Sequence, residues 1–115
     1  MAAKLEVIEA GDKFTHVALR GRLDASGVEA VEAELTKETF GRRKPAIIDI
    51  TKVDVLVSVG IGMLVKLARS MHSHAIIMGV VATGLSKENL ERLKIHTIFP
   101  VVATYEEARQ TLMLE

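Results

Sequence analysis

The stretch that most constrains the fold runs from Ile47 to Leu67. Its approach, Ala46 to Ile50, is an apolar, mostly β-branched run broken only by Asp49, which suits a strand buried on both faces. From Val59 onward apolar residues stand at 61, 64, 65 and 68, the spacing of one helical face. Ala75 to Val81 is a second apolar run. Strand, helix and strand in that order predict a right-handed crossover between parallel strands. Ser58 is the only hydroxyl between Val53 and Val65. At a strand-to-helix junction its oxygen is expected to cap the helix by accepting a backbone N–H of the first turn.

Gly11-Asp12 is a turn signal bracketed by Leu5, Val7, Phe14, Val17 and Leu19, so residues 4–9 and 14–20 read as a hairpin. Gly21 to Ala25 reads as a short loop. Ser26 with Glu29 three residues on forms a capping box for a helix that turns Val28, Val31 and Leu35 inward. Glu29, Glu32, Glu34 and Glu38 of that helix face water. Arg42-Arg43-Lys44 follows its end, where the helix dipole favours positive charge; a solvated loop and an anion site are both open there. Ser86 is placed to cap a third helix, with Leu85 and Leu90 as a hydrophobic staple. Ile98 to Ala103, broken by Pro100, reads as a short edge strand. Thr104 with Glu107 makes a second capping box, ahead of a helix with Tyr105, Ala108 and Leu112 on one face. The fold class is α/β: a small mixed sheet, an N-terminal hairpin plus parallel strands, with about four helices.

Composition removes several functions. Lysine plus arginine and aspartate plus glutamate number 15 each, so no overall field draws the chain to nucleic acid or an anionic bilayer. There is no cysteine, hence no disulfide framework or thiolate metal site. The 115 residues suit one domain, 1–115, with a working core. The start of the chain lacks the apolar core of a signal peptide. The longest apolar runs are too short and interrupted to span a membrane, so a cytoplasmic location is expected, with no membrane insertion.

Enzyme chemistry finds no foothold. A dinucleotide loop needs a third glycine where Val65 stands, no Walker lysine follows Gly60 and Gly62, and a hydrolase elbow needs glycine at Leu56. His72 and His74 are two apart at a helix end and point in different directions, so no metal site is expected. His16 and His96 have no recognisable partner. Asp49 is expected to accept backbone or hydroxyl hydrogen bonds, because a buried carboxylate must be paired. No catalytic residue and no cofactor are expected.

Four segments in order carry a resemblance. Val17-Ala18-Leu19-Arg20-Gly21-Arg22-Leu23-Asp24 precedes a capped helix. Asp49-Ile50-Thr51 ends a buried strand, Ser58-Val59-Gly60-Ile61-Gly62 opens the next helix, and Glu106-Glu107-Ala108 lies in the last one. Together they resemble a STAS domain, the family of bacterial anti-sigma factor antagonists. The resemblance implies that Ser58 is phosphorylated by a partner, an anti-sigma factor that is also a serine kinase. It implies that the unmodified form binds that partner, and that a phosphatase resets the cycle. It places Asp24 near Ser58 in partner contact, and has Gly60 and Gly62 keep the surface beside Ser58 flat. Val57, Val59 and Ile61 would supply the apolar part of that contact.

The family pattern usually reads Asp-Ser-Ser/Thr-Gly; here Val57 and Val59 stand on either side of Ser58. That leaves open a second reading, a STAS subunit never phosphorylated, serving a signalling scaffold or a membrane transporter. A third uses the crevice at the strand C-termini for a small ligand. Ser58 as a cap alone, Asp24 as a loop acid bonding backbone N–H groups, and the two glycines as points of close backbone approach are the plain alternatives. The apolar residues near Ser58 also allow weak self-association.

Overall fold

The computed structural model describes residues 2–114. Five strands form one sheet in the order β1-β2-β3-β4-β5: Lys4–Ala10, Thr15–Leu23, Ala46–Leu56, Met78–Val81 and Val101–Val102. The first two pair antiparallel as the hairpin, and every later pairing is parallel. The helices are α1 (Ala25–Glu38), α2 (Ser58–His72), α3 (Gly84–Arg92) and α4 (Tyr105–Thr111). The expected mixed α/β architecture is the one found.

The sheet has two unequal coverings. Val17, Leu19, Leu23, Ile48, Ile50 and Val80 meet Val28, Val31 and Leu35 of α1, Leu64 and Leu67 of α2 and Leu90 of α3 in the main core. The other face carries a smaller cluster, in which Ala108 and Leu112 of α4 cover Phe14, Ile47, Val81 and Val102. In α2 the buried face is Gly60, Met63, Leu64, Leu67, Ala68 and Met71. Of the stripe read from sequence, Leu64 and Ala68 lie in this face, while Ile61 and Val65 sit at its edge, only partly buried.

Two strands run further than their sequence suggests. Gly21 to Leu23, expected as loop, belongs to β2, and β3 continues from Ile50 to Leu56. They extend together, Gly21 opposite Val53 and Leu23 opposite Leu56, through register shifts at Ala18/Arg20 and Gly21/Arg22. Gly21 has φ +91, so this glycine serves an irregularity inside a strand rather than a turn. Beyond Thr51, exposed Lys52 and Asp54 alternate with more buried Val53 and Val55, the pattern of a strand with one wet face.

All three serine caps are displaced. Asp24, not Ser26, caps α1: its backbone is extended, and its Oδ1 accepts the Gly27 N–H at 2.9 Å. Thr83 precedes α3, and Leu85 is 70% exposed, so no staple forms. The cap of α2 is Val57, whose side chain cannot accept a bond; Ser58 is the first helical residue. Each helix begins where the preceding strand's pairing lets go, upstream of the serine. Thr104 is where sequence placed a cap: its Oγ1 accepts the Glu107 N–H at 3.1 Å, and Glu107 accepts the Ala103 N–H at 3.2 Å.

The apolar run at Ala75 becomes a strand only from Met78. Ala75 has φ +58, with its N–H donating to the His72 carbonyl and that of Ile76 to Met71. This is the left-handed helix stop that favours glycine. Ala75 is exposed, so Ala75→Gly relieves strain without losing packing. It is expected to stabilise the protein by about 1 kcal/mol and raise Tm by about 4 °C in a calorimetric scan.

Candidate functional site

The residues singled out by sequence gather at the C-terminal ends of β2 and β3. Leu23 and Leu56 are neighbours across the sheet, and the Val57 N–H donates to the Leu23 carbonyl at 3.4 Å. Asp24 and Val57, the cap residues of α1 and α2, therefore start adjacent helices from adjacent strands.

Asp24 does what a cap requires. Besides Gly27, it accepts a bond from Arg22 Nε at 3.2 Å. The Gly27 N–H and then the Arg22 guanidinium hold its carboxyl below the ordinary carboxylate range. Its charge is thus engaged within the chain. The one sequence signal for this role of Arg22 is its spacing of two from Asp24, across the last residue of β2.

The first turn of α2 is bare. Val57 and Val59 are 41% and 42% exposed, and Ser58 between them is exposed. No acidic residue lies in this turn. The Val57 carbonyl accepts from both Gly60 and Ile61, leaving the N–H groups of Ser58 and Val59 without a partner inside the helix, as at any α-helix start. Ser58, expected to serve as the cap, is instead the exposed first residue of the helix.

The two glycines part company. A Cβ on Gly60 would lie 2.7 Å from the Leu23 carbonyl oxygen and 2.9 Å from the Leu23 side chain. This glycine lets α2 start against β2. A Cβ on Gly62 would meet nothing within 4 Å. Gly62 is exposed, and no contact within the chain asks for a glycine there. Ile61 is half-buried beside them.

Asp49 and the basic cluster have partners of their own, away from this site. Asp49 Oδ1 accepts the Thr51 N–H at 2.8 Å and its hydroxyl at 2.7 Å, the role expected for it. The basic cluster is dispersed: Arg42 bonds Glu38 at 2.9 Å, Arg43 lies 4.4 Å from the Phe40 ring centre, and Lys44 donates to the Gly11 carbonyl at 3.0 Å. His72 and His74 are exposed, and no group able to hold a metal ion occurs among the described residues. His16, without a partner in the sequence reading, stacks on Tyr105 with ring centres 4.5 Å apart.

The STAS domain family model matches residues 6–108. The chain belongs to the STAS domain family. No curated protein sequence matches it. Among solved structures, an anti-sigma factor antagonist from Mycobacterium paratuberculosis is similar over 97% of this chain and 95% of its own, at 22% identity and a TM-score of 0.86. The anti-sigma factor antagonist SpoIIAA in its unphosphorylated form covers 99% and 100%, at 21% identity and a TM-score of 0.68. The phosphorylated form of SpoIIAA, a Bacillus cell fate determinant, covers 96% and 98%, at 20% identity and a TM-score of 0.67. At these identities the likeness is one of fold. This STAS chain shares the architecture of the anti-sigma factor antagonists, and no helix among its described residues is long and apolar enough to cross a membrane.

Proposed function

We propose that this STAS protein, acting as one domain, is a cytoplasmic, non-enzymatic regulator of the anti-sigma factor antagonist type. In its unmodified form it docks on a partner protein through Val57, Val59, Gly62 and the edge of Ile61, with Asp24 alongside and Gly60 seating the turn. Phosphorylation of Ser58 by that partner, an anti-sigma factor with serine kinase activity, releases it; a phosphatase restores it. The observation that carries this reading is the exposure of Ser58 between two exposed valines at the start of α2. The likeness to SpoIIAA, a fold seen in both phosphorylated and unphosphorylated forms, supports it.

The physics of such a switch is local. A phosphoryl group adds about −1.5 to −2 charges at neutral pH. At the first position of α2 the chain tolerates that charge, because the helix dipole and unpaired N–H groups favour an anion. A partner that had covered Val57 and Val59 would have to bury the same charge against apolar atoms, which is costly. The modification therefore breaks the interface and spares the fold. The bare valine cap favours one other reading, a docking subunit of a scaffold or transporter that is never modified, since it leaves Ser58 flanked only by apolar side chains. Incubation with the serine kinase recovered on the unmodified chain, followed by peptide mass spectrometry, separates the two. Phosphate on Ser58 is the expected result, and a captured, active kinase that leaves Ser58 unmodified removes the switch.

A further inference from the structure

We propose that His16 and Tyr105 form a proton-operated latch on α4, closed while the imidazole is neutral and opened when it takes a proton. His16 lies on the sheet face that α4 covers, and the Tyr105 ring is stacked over it with an interplanar angle of 23°. Its Nε2 is shut off from solvent and has no hydrogen-bond partner. A neutral ring tolerates this by keeping its proton on Nδ1, whereas an imidazolium must donate from both nitrogens. An N–H without an acceptor in that position is a strained arrangement.

The groups around His16 determine where the latch goes. Glu9 of β1 is its direct cross-strand neighbour, and Asp49 of β3 also acts on it; α4 contributes Tyr105, with Glu106 and Arg109 beyond it. Burial lowers the His16 pKa from 6.5, and the Asp49 and Glu9 carboxylates pull it partly back. Glu9 also acts on the Tyr105 hydroxyl, which burial and then that carboxylate raise above 10.0. Arg109, 5.8 Å from the Tyr105 ring, has a buried Nε without a partner. A charged His16 competes for Glu9, turns toward it and leaves the Tyr105 ring unsupported. Opening uncovers Phe14, Ile47 and Val81, an apolar surface remote from Ser58. Because the folded-state pKa lies below the unfolded one, the closed contact's stabilisation is complete above pH 6.5 and lost as pH falls through the lower value.

The test is an NMR titration of the intact chain from pH 8 to 4.5, following the His16 ring and the Ala108 and Leu112 methyl groups of α4. The expected result is one shared midpoint below 6.5 for ring and methyls. The methyl shifts should vanish in His16→Gln, and the ring midpoint should move up toward 6.5 in Tyr105→Leu. The latch is overturned by methyls that stay still while His16 titrates, or by equal methyl shifts in the His16→Gln and wild-type chains. It is equally overturned by a ring midpoint unmoved in Tyr105→Leu or by a ring that never titrates in this range.

Discussion

Alanine at Gly60 and alanine at Gly62 are expected to move stability in opposite directions. Both glycines lie in the first turns of α2 and share a sequence neighbourhood, Gly60-Ile61-Gly62. At Gly60 the added methyl meets the Leu23 carbonyl oxygen at 2.7 Å. That oxygen is backbone in a paired strand and cannot swing aside as a flexible side chain could. Gly60→Ala is expected to cost about 1–3 kcal/mol, lowering Tm by roughly 4–12 °C, and the larger side chain of Gly60→Val should cost more. At Gly62 the methyl enters open space and only restricts the unfolded chain, so Gly62→Ala should stabilise by about 0.5–1 kcal/mol. Paired thermal melts read both. Equal losses at the two positions would mean that α2 does not start against β2 as described.

The second large effect concerns binding. A glycine that folding does not require, on an exposed helical surface one turn from Ser58, is accounted for if something seats on it. Val59→Asp places a charge in the proposed contact at a site already 42% exposed. It is expected to weaken partner capture by roughly a hundredfold, as burying an unpaired carboxylate costs several kcal/mol. The melting temperature should stay within about 2 °C of wild type, as for a surface change away from the core. Gly62→Leu should act through bulk rather than charge, with the same separation of binding from folding. Quantitative affinity capture beside a thermal melt checks both, and loss of capture that always accompanies loss of fold would count against a docking face here.

Much of the fold was legible because its signals are local. Gly11-Asp12 marked the hairpin, the inward stripe of Val28, Val31 and Leu35 marked α1, and Thr104 with Glu107 marked α4. The serine caps were not legible for a common reason. Ser26, Ser58 and Ser86 all stand near helix starts, but each start is set by how far the preceding strand stays paired. That distance depends on a neighbouring strand distant in sequence: β2 and β3 lengthen each other through Leu23 and Leu56. The site moved with them, since a Ser58 at the first helical position holds its hydroxyl free, while at the cap it would have been occupied. The split between Gly60 and Gly62 was hidden likewise, because only the approach of Leu23 distinguishes them. The His16–Tyr105 stack joins the hairpin to the last helix and leaves no trace in local pattern.

The central claim is that negative charge at Ser58 ends docking while the domain stays folded. The direct measurement uses two purified chains, one unmodified and one carrying phosphoserine at position 58, each immobilised and compared for capture of proteins from the native lysate by quantitative mass spectrometry. Their melting temperatures are recorded alongside. The account predicts closely matched melts and a serine-kinase partner retained by the unmodified chain and lost by the phosphorylated one. Identical capture by both chains, or a phosphorylated chain that has unfolded, would contradict it.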